Sequence, residues 1–272
     1  MDKRIMATVK SFYSGSDFIQ KKLFLLVLSV LTSLVWCIQY LKLKDTSTVI
    51  SLYMLTGLIF IVGFLGLIGY FSKFIQQRLN GAECSLFNFD LSFFMPNSKV
   101  VSFFVIWFFY AALLFVPTVW AFWYVIEVLG PSLSLLIIPI LIVLIVITLA
   151  VVLPIALVSG PAAVYNLIDY FKCNFTKTAC LSPFAILSYK GVFMKSLPII
   201  FAIIGLNIAV YTMLSTVVAP IVLMNGLENI ENNFLVRTIS LILDEYASII
   251  VNLIALDLFV DFYKKNIETA KV

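Results

Sequence analysis

The chain has 272 residues, of which 62% are apolar and 12% charged, with a net charge of +4 and a mean hydropathy of +1.10. Those values lie outside the globular range and exclude a water-soluble domain of this size. From Lys99 to Lys172 the chain runs 72 residues without a Lys or Arg, and from Lys195 to Arg237 another 41.

An α-helix crosses a hydrocarbon core about 30 Å thick in roughly 20 residues, and six segments qualify. A polar N-terminal arm carrying Lys3, Arg4, Lys10, Lys21 and Lys22 leads into the first, 23–41. No small-x-small cleavage pattern follows its apolar core, so it reads as an uncleaved signal anchor. The second, 49–72, is entered from Asp45-Thr46-Ser47, whose short polar side chains suit a helix start. Gly57, Gly63, Gly66 and Gly69 give it a small-residue side on which another helix can approach closely. The third and fourth, 100–126 and 132–158, are divided by the turn signal Gly130-Pro131-Ser132. Trp120, Trp123 and Tyr124 fall at the outer end of the third, where amphipathic rings favour the interface. Pro117, Pro139 and Pro154 predict kinks. After Ser159-Gly160-Pro161, residues 161–171 span only about 16 Å as a helix, too short for a further crossing. Lys195-Ser196-Leu197-Pro198 opens the fifth, 196–224, and the sixth is placed at 246–263.

Lys and Arg concentrate in the cytoplasmic loops of membrane proteins. Six spans with the N-terminus inside put 15 basic residues in the cytoplasm and 3 outside, whereas an extra crossing at 161–171 gives 9 and 9. The expected fold is therefore an all-α, polytopic membrane bundle of six helices, a single domain with both termini in the cytoplasm. The basic excess faces one membrane surface, so the expected partners are the bilayer and its anionic headgroups, with no nucleic acid.

Two cytoplasmic loops share a pattern. Leu67-Ile68-Gly69-Tyr70-Phe71 precedes Cys84-Ser85-Leu86-Phe87, and Leu167-Ile168-Asp169-Tyr170-Phe171 precedes Cys180-Leu181-Ser182-Pro183-Phe184. A parallel duplication of 49–126 and 132–224 accounts for this, and chance similarity in so Leu/Ile/Phe-rich a chain is the competing account. Segments 81–97 and 178–190 are two-faced, so amphipathic loop helices are expected there. They lie either in the headgroup plane or as a cap on the span ends. Of the cysteines, Cys84, Cys173 and Cys180 fall on the cytoplasmic side and Cys37 within a span, which favours reduced thiols over disulfides or a metal.

The layout resembles a bacterial group. Its marks are Gly69-Tyr70 with a basic extension to Arg78, then Asn80-Gly81 and the acidic-aromatic stretch Phe87 to Asp90, and a last span ending Asp257-Leu258-Phe259-Val260-Asp261-Phe262-Tyr263-Lys264-Lys265. On these residues the chain is similar to the YciC-like integral membrane proteins, related to the membrane domain of some glycerophosphodiester phosphodiesterases. The resemblance implies a six-helix protein of the bacterial inner membrane without the soluble phosphodiesterase domain.

The chain contains no His, which excludes a Ser-His-Asp triad and an HExxH zinc site, and it carries no phosphate-binding G-x-x-x-x-G-K-[ST] loop. No cofactor is implied and no enzyme is expected. An Asp at a helix centre costs roughly 2.5–3.5 kcal/mol on the insertion scale, so polar residues at membrane depth are the functional candidates. Asp257 and Asp261 are spaced i, i+4 near the inner end of the sixth span, about 9 Å and 3 Å below it, with Lys265 one turn on. The same register leaves Asp244 and Glu245 at the outer interface. Asn207 and Asn252 each lie about 16 Å from the cytoplasmic end of their spans, a depth that permits an interhelical hydrogen bond. Two functions fit: a non-enzymatic envelope protein or accessory subunit of a membrane assembly, and a small permease using Asp257, Asp261, Asn252 and Asn207, served by a separate ATPase on the 172–195 loop.

Overall fold

The computed structural model describes residues 2–14, 17–38, 46–81, 85–129, 137–176, 178–182, 190–224 and 234–268. These form eight α-helices and no strand. They are α1 (Asp2–Tyr13), α2 (Phe18–Cys37), α3 (Thr46–Leu79), α4 (Ser98–Trp123), α5 (Ile137–Ile147), α6 (Leu153–Lys172), α7 (Lys190–Met224) and α8 (Phe234–Tyr263). Five stretches are long and apolar enough to cross a membrane: Ile19–Cys37, Ser47–Leu79, Ser98–Glu127, Lys195–Thr216 and Val236–Ile267. By helix length and hydropathy the chain is a multi-pass membrane protein. The described residues group into two compact units, Met1–Val101 with Pro198–Phe262, and Ser102–Leu197 with Tyr263–Val272.

The N-terminal arm is not a free polar tail. Its α1 is two-faced, with Lys3 and Lys10 exposed and Thr8 and Phe12 buried one turn apart. Phe12 meets Phe74 of α3 edge-on at 6.2 Å. In the same unit α2 and α3 form an antiparallel hairpin held by glycine. A Cβ on Gly63 would come within 2.7 Å of Leu31 Cβ, and one on Gly66 within 2.8 Å of Leu28 Cδ2 and of the Phe94 ring. Gly57 faces open space, so the small-residue side is used only over its inner three glycines.

Three expectations are corrected. The fourth span contains a shorter apolar helix, Ile138–Ala150, which as a helix rises only about 20 Å. It does not stop at Ser159-Gly160-Pro161 either, because α5, a π-turn at Thr148–Val152 and α6 follow without interruption to Lys172. Pro154 lacks an N–H, so the turn before it loses an i→i−4 bond, and the backbone takes up that loss by widening into the π-turn. Residues 161–171 are thus the continuation of this helix. Finally, the loop segments are not amphipathic helices over their described residues. The first is irregular chain with a four-residue 3₁₀ turn at Leu91–Phe94, and the second, over 178–182, is a four-residue 3₁₀ turn at Thr178–Leu181. The Gly130-Pro131-Ser132 turn, Asp45, Cys84 and residues 183–189 lie outside the described residues.

In the second unit Phe103 stacks on Trp107 at 5.9 Å and on Tyr170 at 5.9 Å, while the Tyr110 hydroxyl donates to the Leu181 carbonyl at 3.3 Å. The chain leaves α6 through Asn174 and Phe175, at φ 48° and 61°. Asn tolerates this left-handed region, whereas Phe does so only against steric cost. The Phe175 ring is held edge-on by Tyr170 at 5.2 Å and Phe171 at 5.4 Å, and its N–H donates to the Tyr170 carbonyl at 2.9 Å. At the C-terminal end of α4, Trp120 stacks on Tyr124 of the following π-turn at 5.3 Å, with both rings exposed.

Candidate functional site

Asp257 is the most deeply buried charge among the described residues of the first unit, 1% exposed. Its Oδ1 accepts from Arg78 Nε at 2.5 Å and its Oδ2 from Thr8 Oγ1 at 2.8 Å. One carboxylate therefore joins α1, the C-terminal extension of α3 and the C-terminal part of α8. Burying a carboxylate costs several kcal/mol unless a cation and further hydrogen bonds compensate it, and both are present here. The arrangement can hold three helices in register. Both of its oxygens are engaged, one by a cation and one by a hydroxyl.

Asp257 is level with Arg78, five residues past Lys73 and near the end of α3. Glu245 lies 12 residues back along α8, about 18 Å. There it accepts from Thr32 Oγ1 at 3.3 Å, and Thr32 Cγ2 lies 3.2 Å from a Cβ built on Gly63. Glu245 is thus level with the middle of the α2–α3 hairpin, and Asp257 with the end of α3. Neither Asp244 nor Glu245 makes an ion pair among the described residues. Around Thr32, Ser29 and Ser33 are also buried, each donating to a carbonyl of α2.

The other candidates are not drawn together. Asn207, half-buried on α7, donates to the Ile203 carbonyl at 3.0 Å, and Asn252, exposed on α8, donates to Ser248 Oγ at 3.5 Å. Each amide is engaged by its own helix, so the bond between them is not made. Asp261 is half-buried one turn beyond Asp257.

The second unit holds its own buried carboxylate. Asp169, on α6, accepts from the Tyr263 hydroxyl, and Lys172 one turn on places its ammonium 5.1 Å from the Tyr263 ring centroid. Tyr165 and Asn166 are buried on the same helix, and the Asn166 Nδ2 makes no hydrogen bond.

Sequence reasoning passed over Thr8, Arg78, Asp169 and Tyr263 as site residues. Asp169 carried a readable signal, a charge standing where the parallel motif has Gly69. Thr8 carried none, since nothing in an N-terminal polar helix marks which hydroxyl points inward. No protein-family model matches the chain, and no curated protein and no solved structure matches it.

Proposed function

We propose that this chain is a non-enzymatic multi-pass protein of the bacterial inner membrane, of the YciC-like type, that organises the membrane or serves as accessory subunit of a membrane assembly. The observation that carries the reading is how its buried carboxylates are spent. Asp257 is consumed by Arg78 and Thr8, and Asp169 accepts from Tyr263, so each ties helices together and neither converges with others on a reacting centre.

Parity supports six crossings. Thr8 before α2, Arg78 at the end of α3 and Asp257 near the end of α8 meet, so the chain returns after α8 to the side from which α2 starts. That return needs an even number of crossings, and five helices are long enough by themselves. The sixth is then the continuous helix of α5 and α6, and the side on which Thr8 and Asp257 meet is the cytoplasmic one by its basic loops.

One observation favours the second reading, a small permease. Glu245 stands at mid-hairpin with no cation beside it among the described residues, and an ionisable group at membrane depth is a candidate for a transport path. Vesicles reconstituted with the full chain separate the two. The first reading expects proton and cation flux equal to that of empty vesicles, together with a stoichiometric protein or lipid partner on mild extraction from native membranes. Flux above the empty-vesicle level that Glu245→Gln abolishes overturns it in favour of the permease.

A further inference from the structure

Two acids on α8 lie 12 residues apart and are compensated differently. Asp257 meets the Arg78 guanidinium, whereas Glu245 meets only the Thr32 hydroxyl among the described residues. The cations of these helices stand far from that level. Thr32 comes ten residues after Lys22 on α2, and Gly63, against which it packs, ten residues before Lys73 on α3. Each interval is about 15 Å along a helix, which is the middle of a hydrocarbon core about 30 Å thick. Along α8 itself Asp244 is adjacent and Arg237 is eight residues back, about 12 Å, while α7 carries no charged residue from Ser196 to Met224. Lys42, Lys44, Asp45, Glu228 and Glu231 lie outside the described residues.

The proton of the Thr32–Glu245 contact can come from either oxygen, and the neighbours of Thr32 decide which. A hydroxyl has one proton to donate and two lone pairs with which to accept. Thr32 Oγ1 lies 3.0 Å from the Leu28 carbonyl oxygen, 3.2 Å from that of Ser29 and 3.3 Å from Glu245 Oε1. Ser29, Ser33 and Thr56 in the same hairpin each donate to a carbonyl of their own helix, and Thr32 has two such acceptors nearer than the carboxyl. With its proton placed there, Thr32 turns a lone pair toward Glu245. We propose that Glu245 is a proton-binding site, an assignment that rests on the multi-pass reading: it stands as the neutral acid near neutral pH and donates from its carboxyl to Thr32 Oγ1. The bond ties α8 to α2 at mid-depth without a charge, as the Arg78–Asp257 pair ties α8 to α3 at the rim with one. A carboxylate at Glu245 would face that lone pair with no cation beside it, and an acid so placed takes up a proton instead.

The test uses the full chain in phosphatidylcholine vesicles near neutral pH, treated with dicyclohexylcarbodiimide, which partitions into the apolar core and reacts with a carboxyl in its protonated form. The acid oxygen adds to the carbodiimide carbon and its proton goes to one nitrogen. The acyl group then passes from that oxygen to the other nitrogen, leaving a stable N-acylurea with nothing released. Mass spectrometry of the digested chain is expected to find this adduct at Glu245. The infrared difference between the parent and Glu245→Gln is expected to show the C=O stretch of a protonated carboxyl. Thr32→Val, which keeps the shape of the side chain and removes the acceptor, should move that band to higher wavenumber. A carboxylate band in place of the acid band, or a Glu245 left unmodified, overturns the proposal while leaving the multi-pass reading standing. An acid band that Thr32→Val does not move overturns the bond to Thr32, and the proposal with it. Modification of Glu245 by a charged, water-soluble carbodiimide places it in water and overturns both.

Discussion

Two helix ends in this chain carry the same letters around one variable position. α3 carries Leu67-Ile68-Gly69-Tyr70-Phe71 about two turns before its end, and α6 ends through Leu167-Ile168-Asp169-Tyr170-Phe171. In both, the Leu, Ile and Tyr are buried and a lysine follows within three residues. Beyond that they diverge. Gly69 is small enough for the Phe93 backbone to lie on it, and the Tyr70 hydroxyl accepts the Phe87 N–H at 3.0 Å, so the following loop is pulled down onto the helix. Asp169 fills the same place with a carboxylate and takes a phenol from Tyr263, so what docks there is a side chain from the far end of the sequence. The lysines follow suit: Lys73 lies over Phe93 at 4.7 Å, Lys172 over Tyr263 at 5.1 Å. The variable residue therefore selects the occupant, backbone for glycine and hydroxyl for aspartate.

The first unit, lacking a carboxylate at its variable position, receives one from α8 and must supply a cation for it. Removing that cation tests the difference most severely. Arg78→Gln leaves Asp257 buried without a counter-charge, and the expected loss is about 3–5 kcal/mol of stability. Adding Asp257→Asn to that variant should restore part of the loss, because the uncompensated charge goes with it. Thermal unfolding in detergent followed by circular dichroism reads both, and a double variant no better than Arg78→Gln would show that the ion pair is not what ties these helices.

The glycine arm of the comparison comes next. Gly69→Ala puts a methyl against the Phe93 backbone, which has no rotamer through which to yield, and the expected cost is about 3 kcal/mol, the upper end for overpacking. Gly57→Ala, on the same helix but facing open space, should stabilise by about 0.5–1 kcal/mol through lost chain entropy. Opposite signs at two glycines of one helix would show that close approach, not helix propensity, sets the first.

How much of this was readable beforehand follows the same division. The apolar spans, the glycine side of α3 and the repeated Leu-Ile-x-Tyr-Phe are properties of composition and period, and sequence carries them directly. Helix register relative to neighbours is different. α8 is 30 largely apolar residues interrupted by Arg237, Asp244, Glu245, Asp257 and Asp261, and charge cost alone favours putting the adjacent acidic pair at an interface. What fixes the register of α8 against α1 and α3 is a pairing of Asp257 with Arg78, 179 positions away, and with Thr8 on a helix that reads as a polar arm. Long-range compensation leaves no local trace, so no reading that weighs each span by itself supplies that pairing.

On the aspartate arm, Tyr263→Phe removes the phenol from Asp169 and keeps the ring over which Lys172 lies. The expected loss is about 2 kcal/mol, that of one hydrogen bond to a charged acceptor. Asp169→Gly in the same assay asks whether the α6 end then behaves like α3: if the variable residue alone selects the occupant, the Tyr263 anchor is lost and Tyr263→Phe costs nothing further.

The smallest effect is at Asp90, where the first loop's link to Lys73 is solvent-exposed on both sides and correspondingly weak. Asp90 also caps the 3₁₀ turn, its Oδ1 accepting the Ser92 N–H at 2.9 Å. Hydrogen bonds from Ser92, then from Lys73, hold its carboxyl well below the usual carboxylate range. A lowered value means the folded protein favours the ionised form, so this contribution is complete above the unfolded value of about 3.9 and drains away only as the pH falls below it. Asp90→Asn keeps a capping oxygen and discards the charge. Its thermal midpoint should therefore lie slightly below that of the parent at neutral pH, and the two curves should converge in acid. A gap that widens on acidification would mean that Asp90 acts through something other than its charge, and that the loop is held onto α3 by Gly69 and the Phe93 backbone alone.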